Sequence, residues 1–125
     1  MDRQRSRAVF ANFTDLIFNR GNLTGAYLTY VAEDYIQHNP NILSGRQNSI
    51  DAVQAVIDAG ATFDIFNTAF DRDWGYVFLR ANFAGAEQPS AVVDIFRLNG
   101  SCIVEHWDVV QEKPKNATNP IAMWS

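Results

Sequence analysis

An α+β fold, with helices packed on one side of a curved antiparallel sheet, is what this sequence predicts. Three observations carry that expectation. Apolar residues in the first half recur at three- and four-residue spacing, those in the second half gather in β-rich runs, and short polar turn signals separate the runs. At 125 residues the chain reads as one domain, 1–125. A chain of that length buries about two-thirds of its unfolded surface and needs no disulfide or metal staple.

Val9, Phe10, Phe13, Leu16 and Ile17 form the stripe of a first helix, with Gly21 placed as its C-cap. A second, short helix is expected from Leu23 to about Val31. The segment Tyr35-Ile36-Gln37-His38-Asn39-Pro40 then reads as a break, because a proline pushes the preceding residue out of the α region. Ile50, Val53, Val56 and Ile57 share one face of a third helix over Gln47–Ala59, closed by Gly60. Strands follow at Ala61–Phe70, Trp74–Phe83, Ala91–Leu98 and Cys102–Gln111, rich in Phe, Val and Ile. Asp71-Arg72-Asp73, the Gly85–Ser90 segment and Asn99-Gly100-Ser101 supply the turns. Strands this long can curl, and a curled sheet capped by N-terminal helices leaves a blind, cone-shaped cavity. The aromatic content (Phe 9, Tyr 4, Trp 3) exceeds what a plain core of this size needs and could line it.

Composition removes several function classes. Fourteen Asp and Glu against ten Lys and Arg leave a formal net charge of -4, the wrong sign for displacing counterions from nucleic acid. Arg3, Arg5 and Arg7 alternate with other residues ahead of the apolar stripe and read as a solvated first turn. No apolar run approaches the roughly 18 residues of a membrane span, and no signal-peptide core is evident, so a cytoplasmic location is expected. There Cys102 stays reduced, and the N-x-[ST] matches at Asn12, Asn22, Asn99 and Asn116 are chance. One Cys and two His are too few for a structural zinc site. Neither a G-x-S-x-G elbow nor a glycine-rich phosphate loop occurs, which disfavours hydrolase and nucleotide readings.

The densest chemistry lies in the last hairpin. A two-residue Asn99-Gly100 turn would set Asp94 opposite Glu105, an unfavourable pairing of like charges. A three-residue Asn99-Gly100-Ser101 loop sets Phe96 opposite Val104, Asp94 opposite His106 and Val92 opposite Asp108, and is the preferred register. Alternation then gathers Asp94, His106 and Asp108 on one face, with Phe96 and Val104 nearer the turn. An imidazole flanked by two carboxylates is a candidate proton-transfer group; it is equally a hydrogen-bonded cluster that stabilises register.

Tyr35-Ile36-Gln37-His38-Asn39-Pro40, Val92-Val93-Asp94-Ile95-Phe96-Arg97-Leu98 and Ile103-Val104-Glu105-His106-Trp107-Asp108-Val109 together resemble the SnoaL-like polyketide cyclase family, within the nuclear transport factor 2-like superfamily. The tail Asn119-Pro120-Ile121-Ala122-Met123-Trp124 resembles the family's N-x-x-x-M-F ending. The resemblance implies a cone-shaped α+β barrel with one pocket, often dimeric through the outer sheet face. It also implies cofactor-free aldol cyclisation, isomerisation, dehydration or epoxide opening. Carried onto this chain, it marks His38, His106 and Asp108 as polar pocket residues, with Asp94 beside them. One departure stands out. Relatives often carry His-x-His on the strand after an Asp-Gly-Asp turn, where this chain has Asp71-Arg72-Asp73 and then Phe78 and Arg80. That exchanges two bases or ligands for an aromatic wall and a permanent cation suited to an oxyanion.

The expectation that follows is a cofactor-independent acid–base enzyme for a small oxygenated, polyketide- or terpenoid-like metabolite. His106, tuned by Asp94 or Asp108, would be the base, His38 or the second Asp would return the proton, and Arg80 would hold the oxyanion. Tyr35, Phe66, Trp74, Phe78, Phe96, Val104 and Trp124 would line the pocket, although the aromatic members are as readily core residues. Arg97 and Trp107 have the opposite parity and belong to solvent, core or a homodimer interface. The alternatives are a non-catalytic ligand-binding protein of the same fold and a dimeric interaction module.

Overall fold

The computed structural model describes residues 3–124. The first helix, α1 (Arg3–Thr14), buries Val9, Phe10 and Phe13 and runs into a single π-helical turn, Asp15–Asn19. The chain then reverses at Gly21, whose φ of 63° only glycine adopts freely. Asn22 caps α2 (Leu23–Tyr30) by accepting the Gly25 N–H at 2.9 Å. After β1 (Val31–Gln37) comes α3 (Arg46–Asp58), followed by β2 (Thr62–Asp71), β3 (Trp74–Asn82), β4 (Ser90–Asn99) and β5 (Cys102–Glu112). No helix among the described residues is long and apolar enough to cross a membrane.

The five strands form one open, curved sheet in the order β1-β5-β4-β3-β2. The expected α+β architecture stands, with one correction. Tyr35-Ile36-Gln37 does not break the chain but ends β1, which pairs parallel with β5 and makes the sheet mixed rather than purely antiparallel. Without it, β5 would present an unpaired row of N–H and C=O groups. The break falls two residues later, at Asn39-Pro40.

The β4–β5 register is neither of those expected. The turn is Gly100-Ser101, with Gly100 at φ 63°, so that Asn99 pairs with Cys102 and Leu98 with Ile103. A bulge at Val104 then shifts the ladder, bringing Arg97 opposite Glu105, Phe96 opposite His106 and Asp94 opposite Asp108. The offset from the preferred register is two residues over this stretch. An even shift preserves facing, so Asp94, Phe96, His106 and Asp108 still share one side of the sheet.

That side is the inner one, against the helices. Its small and aliphatic residues, Val77, Leu79, Ala81, Val92, Leu98 and Ile103, are buried with Phe13, Leu23, Tyr27 and Ile50. Phe10 is the hub of the aromatic packing, with ring centroids 5.8 Å from both Phe70 and Phe96 and 6.5 Å from Phe13. Polar ties fix the angle of α1: the Ser6 hydroxyl donates to the Gly100 carbonyl at 2.8 Å, and Arg7 donates to the Phe70 carbonyl while covering its ring. Arg7 is therefore an exposed side chain that also ties α1 to β2.

Phe10 reaches its place because Gly75 leaves room. A Cβ on Gly75 would lie 2.5 Å from the Phe10 ring, which is 3% exposed and held among three other rings. Gly75→Ala is therefore expected to destabilise the fold by about 1–3 kcal/mol, the usual cost of overpacking. Urea denaturation should show a lowered midpoint at unchanged m-value, and recovery of that loss in a Phe10→Leu, Gly75→Ala double variant would localise the clash.

Candidate functional site

A cavity of about 200 Å³ lies between the helices and the inner face of the sheet. Tyr27 of α2, Val53 and Ile57 of α3, Phe63 of β2 and Leu79 of β3 are among its apolar walls. Asp94, His106 and Asp108 meet on its polar side, joined by Gln37 and Asn39 from the end of β1 and the loop after it. Sheet pairing explains the convergence: Gln37 is the register partner of His106 on one side, and Phe96 is its partner on the other.

The hydrogen bonds determine which atoms carry protons. The Asn39 backbone N–H donates to Gln37 Oε1 at 2.9 Å, and Gln37 Nε2 donates to the buried Ser49 hydroxyl at 3.0 Å, so the amide orientation is set. His106 Nδ1 sits 2.7 Å from that same Oε1, an acceptor, and must therefore carry a hydrogen. Its Nε2 is 2.9 Å from Asp94 Oδ1. One proton occupies this bond, either on nitrogen as an imidazolium–carboxylate pair or on oxygen as a neutral acid facing a neutral ring. Asp108, directly across the ladder from Asp94, accepts from Asn39 Nδ2 at 2.8 Å. The Asn39 amide is oriented in turn by the Asn41 N–H, which donates to its Oδ1 at 2.9 Å.

The surroundings of this group are aromatic. The His106 ring, 6% exposed, packs against Phe96 at 4.8 Å and is stacked with Tyr35 at 6.3 Å. Tyr27 lines the cavity, and burial, reinforced by the Asp94 charge, holds its phenol well above the ordinary range and therefore protonated. Burial likewise raises Tyr35, whose hydroxyl finds no hydrogen-bond partner among the described residues. Asp94, His106 and Asp108 are also the one set among the described residues whose geometry could hold a metal ion, with one donor atom each, all within 4.8 Å of one another. An imidazole and two carboxylates suit a divalent cation, but binding would require Nε2 to give up its bond to Asp94.

Of the residues singled out from sequence, His106, Asp94, Asp108 and Phe96 come together at this cavity. The others do not line it. Register puts Val77 and Leu79 on the inner face, so Trp74, Phe78 and Arg80 project to the outer one. There Arg80 donates to Asp64 at 2.9 and 3.1 Å and covers the rings of Phe66 and Trp124, while Phe66 packs on Phe78. His38 is drawn outward as well, bonded to Glu105 at 2.7 Å and stacked flat on Trp107 at 4.7 Å. Trp107 stacks in turn on Trp74, consistent with its expected parity. Tyr35 lies behind His106, and Val104 is taken up by the bulge. Gln37, Asn39 and Tyr27 were not singled out from sequence. The signal for the first two was their place beside His38 in the Gln37-His38-Asn39-Pro40 motif.

The outer cluster has a pH signature. The hydrogen bond to His38, and next the bond and charge of Arg97, hold the Glu105 carboxyl below its ordinary value. A carboxyl depressed in the folded state stabilises the fold above its unfolded pKa and loses that contribution as pH falls through the folded value. Glu105→Gln should therefore flatten the acid limb of a plot of thermal midpoint against pH, with the largest difference from wild type near neutrality and convergence once the pH has fallen through the depressed folded-state value. A constant offset across the acid range would refute this assignment.

The sequence matches the model of the SnoaL-like domain over residues 10–106. No curated protein matches it significantly. Among solved structures, a nuclear transport factor 2-like protein of unknown function from Mesorhizobium loti superposes with TM-score 0.73 at 22% identity, covering 89% of this chain and 95% of that one. A steroid delta-isomerase from Pseudomonas aeruginosa gives 0.70 at 18% identity, with 86% and 80% covered. A protein named for a proposed polyketide cyclase activity, from Acidithiobacillus ferrooxidans, gives 0.63 at 17% identity, with 85% and 87% covered. These likenesses establish the fold, and the domain match spans most of the chain: this protein belongs to the SnoaL-like family.

Proposed function

We propose that this protein is an acid–base enzyme acting on a small oxygenated metabolite that contains an enolisable carbonyl, and that it draws on its own side chains for the chemistry. The observation that carries the reading is the facing pair Asp94 and Asp108, with a buried imidazole bonded to the first, at the polar side of an otherwise apolar cavity. Two carboxylates opposed across a ladder repel unless a proton or a donor lies between them. His106 serves Asp94 and Asn39 serves Asp108, so the two acids have different partners and are free to take different roles in a proton transfer.

Asp108 is the base in this reading, since both nitrogens of His106 are occupied. It takes the proton next to the carbonyl, and the Asp94–His106 pair supplies the proton that returns. Tyr27, neutral and cavity-lining, takes the oxyanion role for which Arg80 stands on the wrong face. A cavity of about 150 Å³ accommodates benzene, so about 200 Å³ suits a single substituted ring. The overall outcome, isomerisation, dehydration or ring closure, depends on what the substrate does after it loses that proton. That proteins of like fold include a steroid delta-isomerase and a proposed polyketide cyclase agrees with such chemistry.

Exchange of α-protons for deuterium in a panel of monocyclic ketones and enones, followed by NMR in D₂O, reads the proposed step directly. The wild-type protein should accelerate exchange in at least one class, and Asp108→Asn should reduce it by about 10²–10⁴-fold with the fold intact. Unchanged exchange in that variant would overturn the role of Asp108. The same cavity would serve a non-catalytic binding protein, a reading favoured by the complete hydrogen bonding of His106; ligands that bind without exchange would decide for it.

We also assign the outer sheet face as a homodimer interface. Trp74, Phe78, Ile95 and Trp107 share it, and Phe66 at 44% and Val109 at 62% exposure extend its apolar surface. Val109→Glu should convert a dimer to a monomer in light scattering coupled to size exclusion. A wild-type monomer at tens of micromolar would dismiss the interface.

A further inference from the structure

A second cleft, of about 280 Å³, lies against the cavity just described. The two share a wall of five residues: Ile17 and Phe18 from the π turn, Leu23 from the start of α2, Ile57 from α3 and Phe63 from β2. Beyond that wall the outer cleft is bounded by Gly21, Gln54, Ala61 and Thr62, of which Gln54 and Thr62 bring polar groups. At the boundary Phe18 and Phe63 meet edge to face, with centroids 6.3 Å apart.

The geometry points to a bipartite ligand site: the outer cleft takes the apolar tail of the same molecule whose polar head rests on Asp94 and Asp108. The occupant is a substituted ring or short head group bearing one oxygen, extended by an alkyl or isoprenoid-like chain. This rests on the acid–base reading of the inner cavity for the head, and on the shared wall for the tail. Three features support it. The inner cavity alone suits little more than one ring. The five residues common to both compartments are apolar, so a chain crossing between them meets no unsatisfied polar group. Two of the five residues at the crossing, Ile17 and Phe18, come from a π-helical turn, an irregularity that is frequent at functional positions. Ile17, Phe18 and Phe63 are only half-buried, so the rings and side chains at the boundary have room to move apart.

Isothermal titration with 4-alkylphenols, from 4-ethylphenol to 4-octylphenol, tests this with a neutral hydroxyl that can donate to a carboxylate. Affinity should continue to rise by about fourfold per methylene beyond the length the inner cavity accommodates. Thr62→Trp, filling the outer cleft from the exposed start of β2, should abolish the gain for the longer chains and leave 4-ethylphenol unchanged. Gln54→Trp, filling it from α3, should do the same without altering the sheet. Affinity that levels off at the shortest chains in the wild type, or variants that weaken 4-ethylphenol and 4-octylphenol equally, would overturn the outer subsite. Contact of the head with Asp108 is read separately: 4-ethylphenol affinity unaffected by Asp108→Asn would count against the inner site whatever the chain-length dependence.

Discussion

A buried imidazole must satisfy both ring nitrogens, and the bond between His106 Nδ1–H and Gln37 Oε1 is the constraint on which the inner site depends. It fixes the tautomer, which turns Nε2 toward Asp94, and that in turn compensates one of two opposed carboxylates. It also requires β1 to lie beside β5, since Gln37 and His106 meet only through that parallel pairing. The same amide reaches Ser49 on α3, so a helix, an edge strand and the central hairpin are registered by one side chain.

The bulge at Val104 separates two chemical environments along one strand. Before it, Ile103 sits in the core; after it, Glu105 faces outward to His38 and Arg97 while His106 faces inward. Two histidine–carboxylate pairs therefore lie back to back across the sheet. In the outer one Glu105 is shared between Arg97 and a His38 that stands largely in solvent, so its charges are partly screened. In the inner one Phe96 and Tyr35 flank an imidazole that is largely buried, where electrostatic effects are stronger and an unpaired charge is costly. That difference is why chemistry is assigned to His106 and not to His38.

The aromatic residues divide by the same geometry. Phe10, Phe13, Phe70 and Phe96 join α1 to the sheet, Tyr27 and Tyr35 extend that packing to His106, and Phe18 and Phe63 form the boundary of the cavity. Phe66, Phe78, Trp74, Trp107 and Trp124 cover the other face. Their abundance reflects a sheet with two apolar faces more than a lined pocket.

Much of this was determined by the sequence alone. Helical spacing located α2 and α3 to within a residue or two and found the apolar stripe of α1 but not the π turn that ends it, β-rich runs located β2 to β5, and alternation brought Asp94, Phe96, His106 and Asp108 to one face even through a wrong register. Tertiary structure decided the rest. Strand β3 alternates large aromatic with small aliphatic residues, Trp74, Tyr76 and Phe78 against Gly75, Val77 and Leu79, so both of its faces read as buried. Only the approach of Phe10 onto Gly75 shows that the small residues belong beneath the helices, which sends Phe78 and Arg80 outward. Likewise, Val31–Gln37 becomes a strand because β5 offers it an edge, and Gln37 enters the site because of that pairing. Local sequence encodes period and turn chemistry; which face a strand buries, and which neighbour it meets, is settled by packing between segments far apart in the chain.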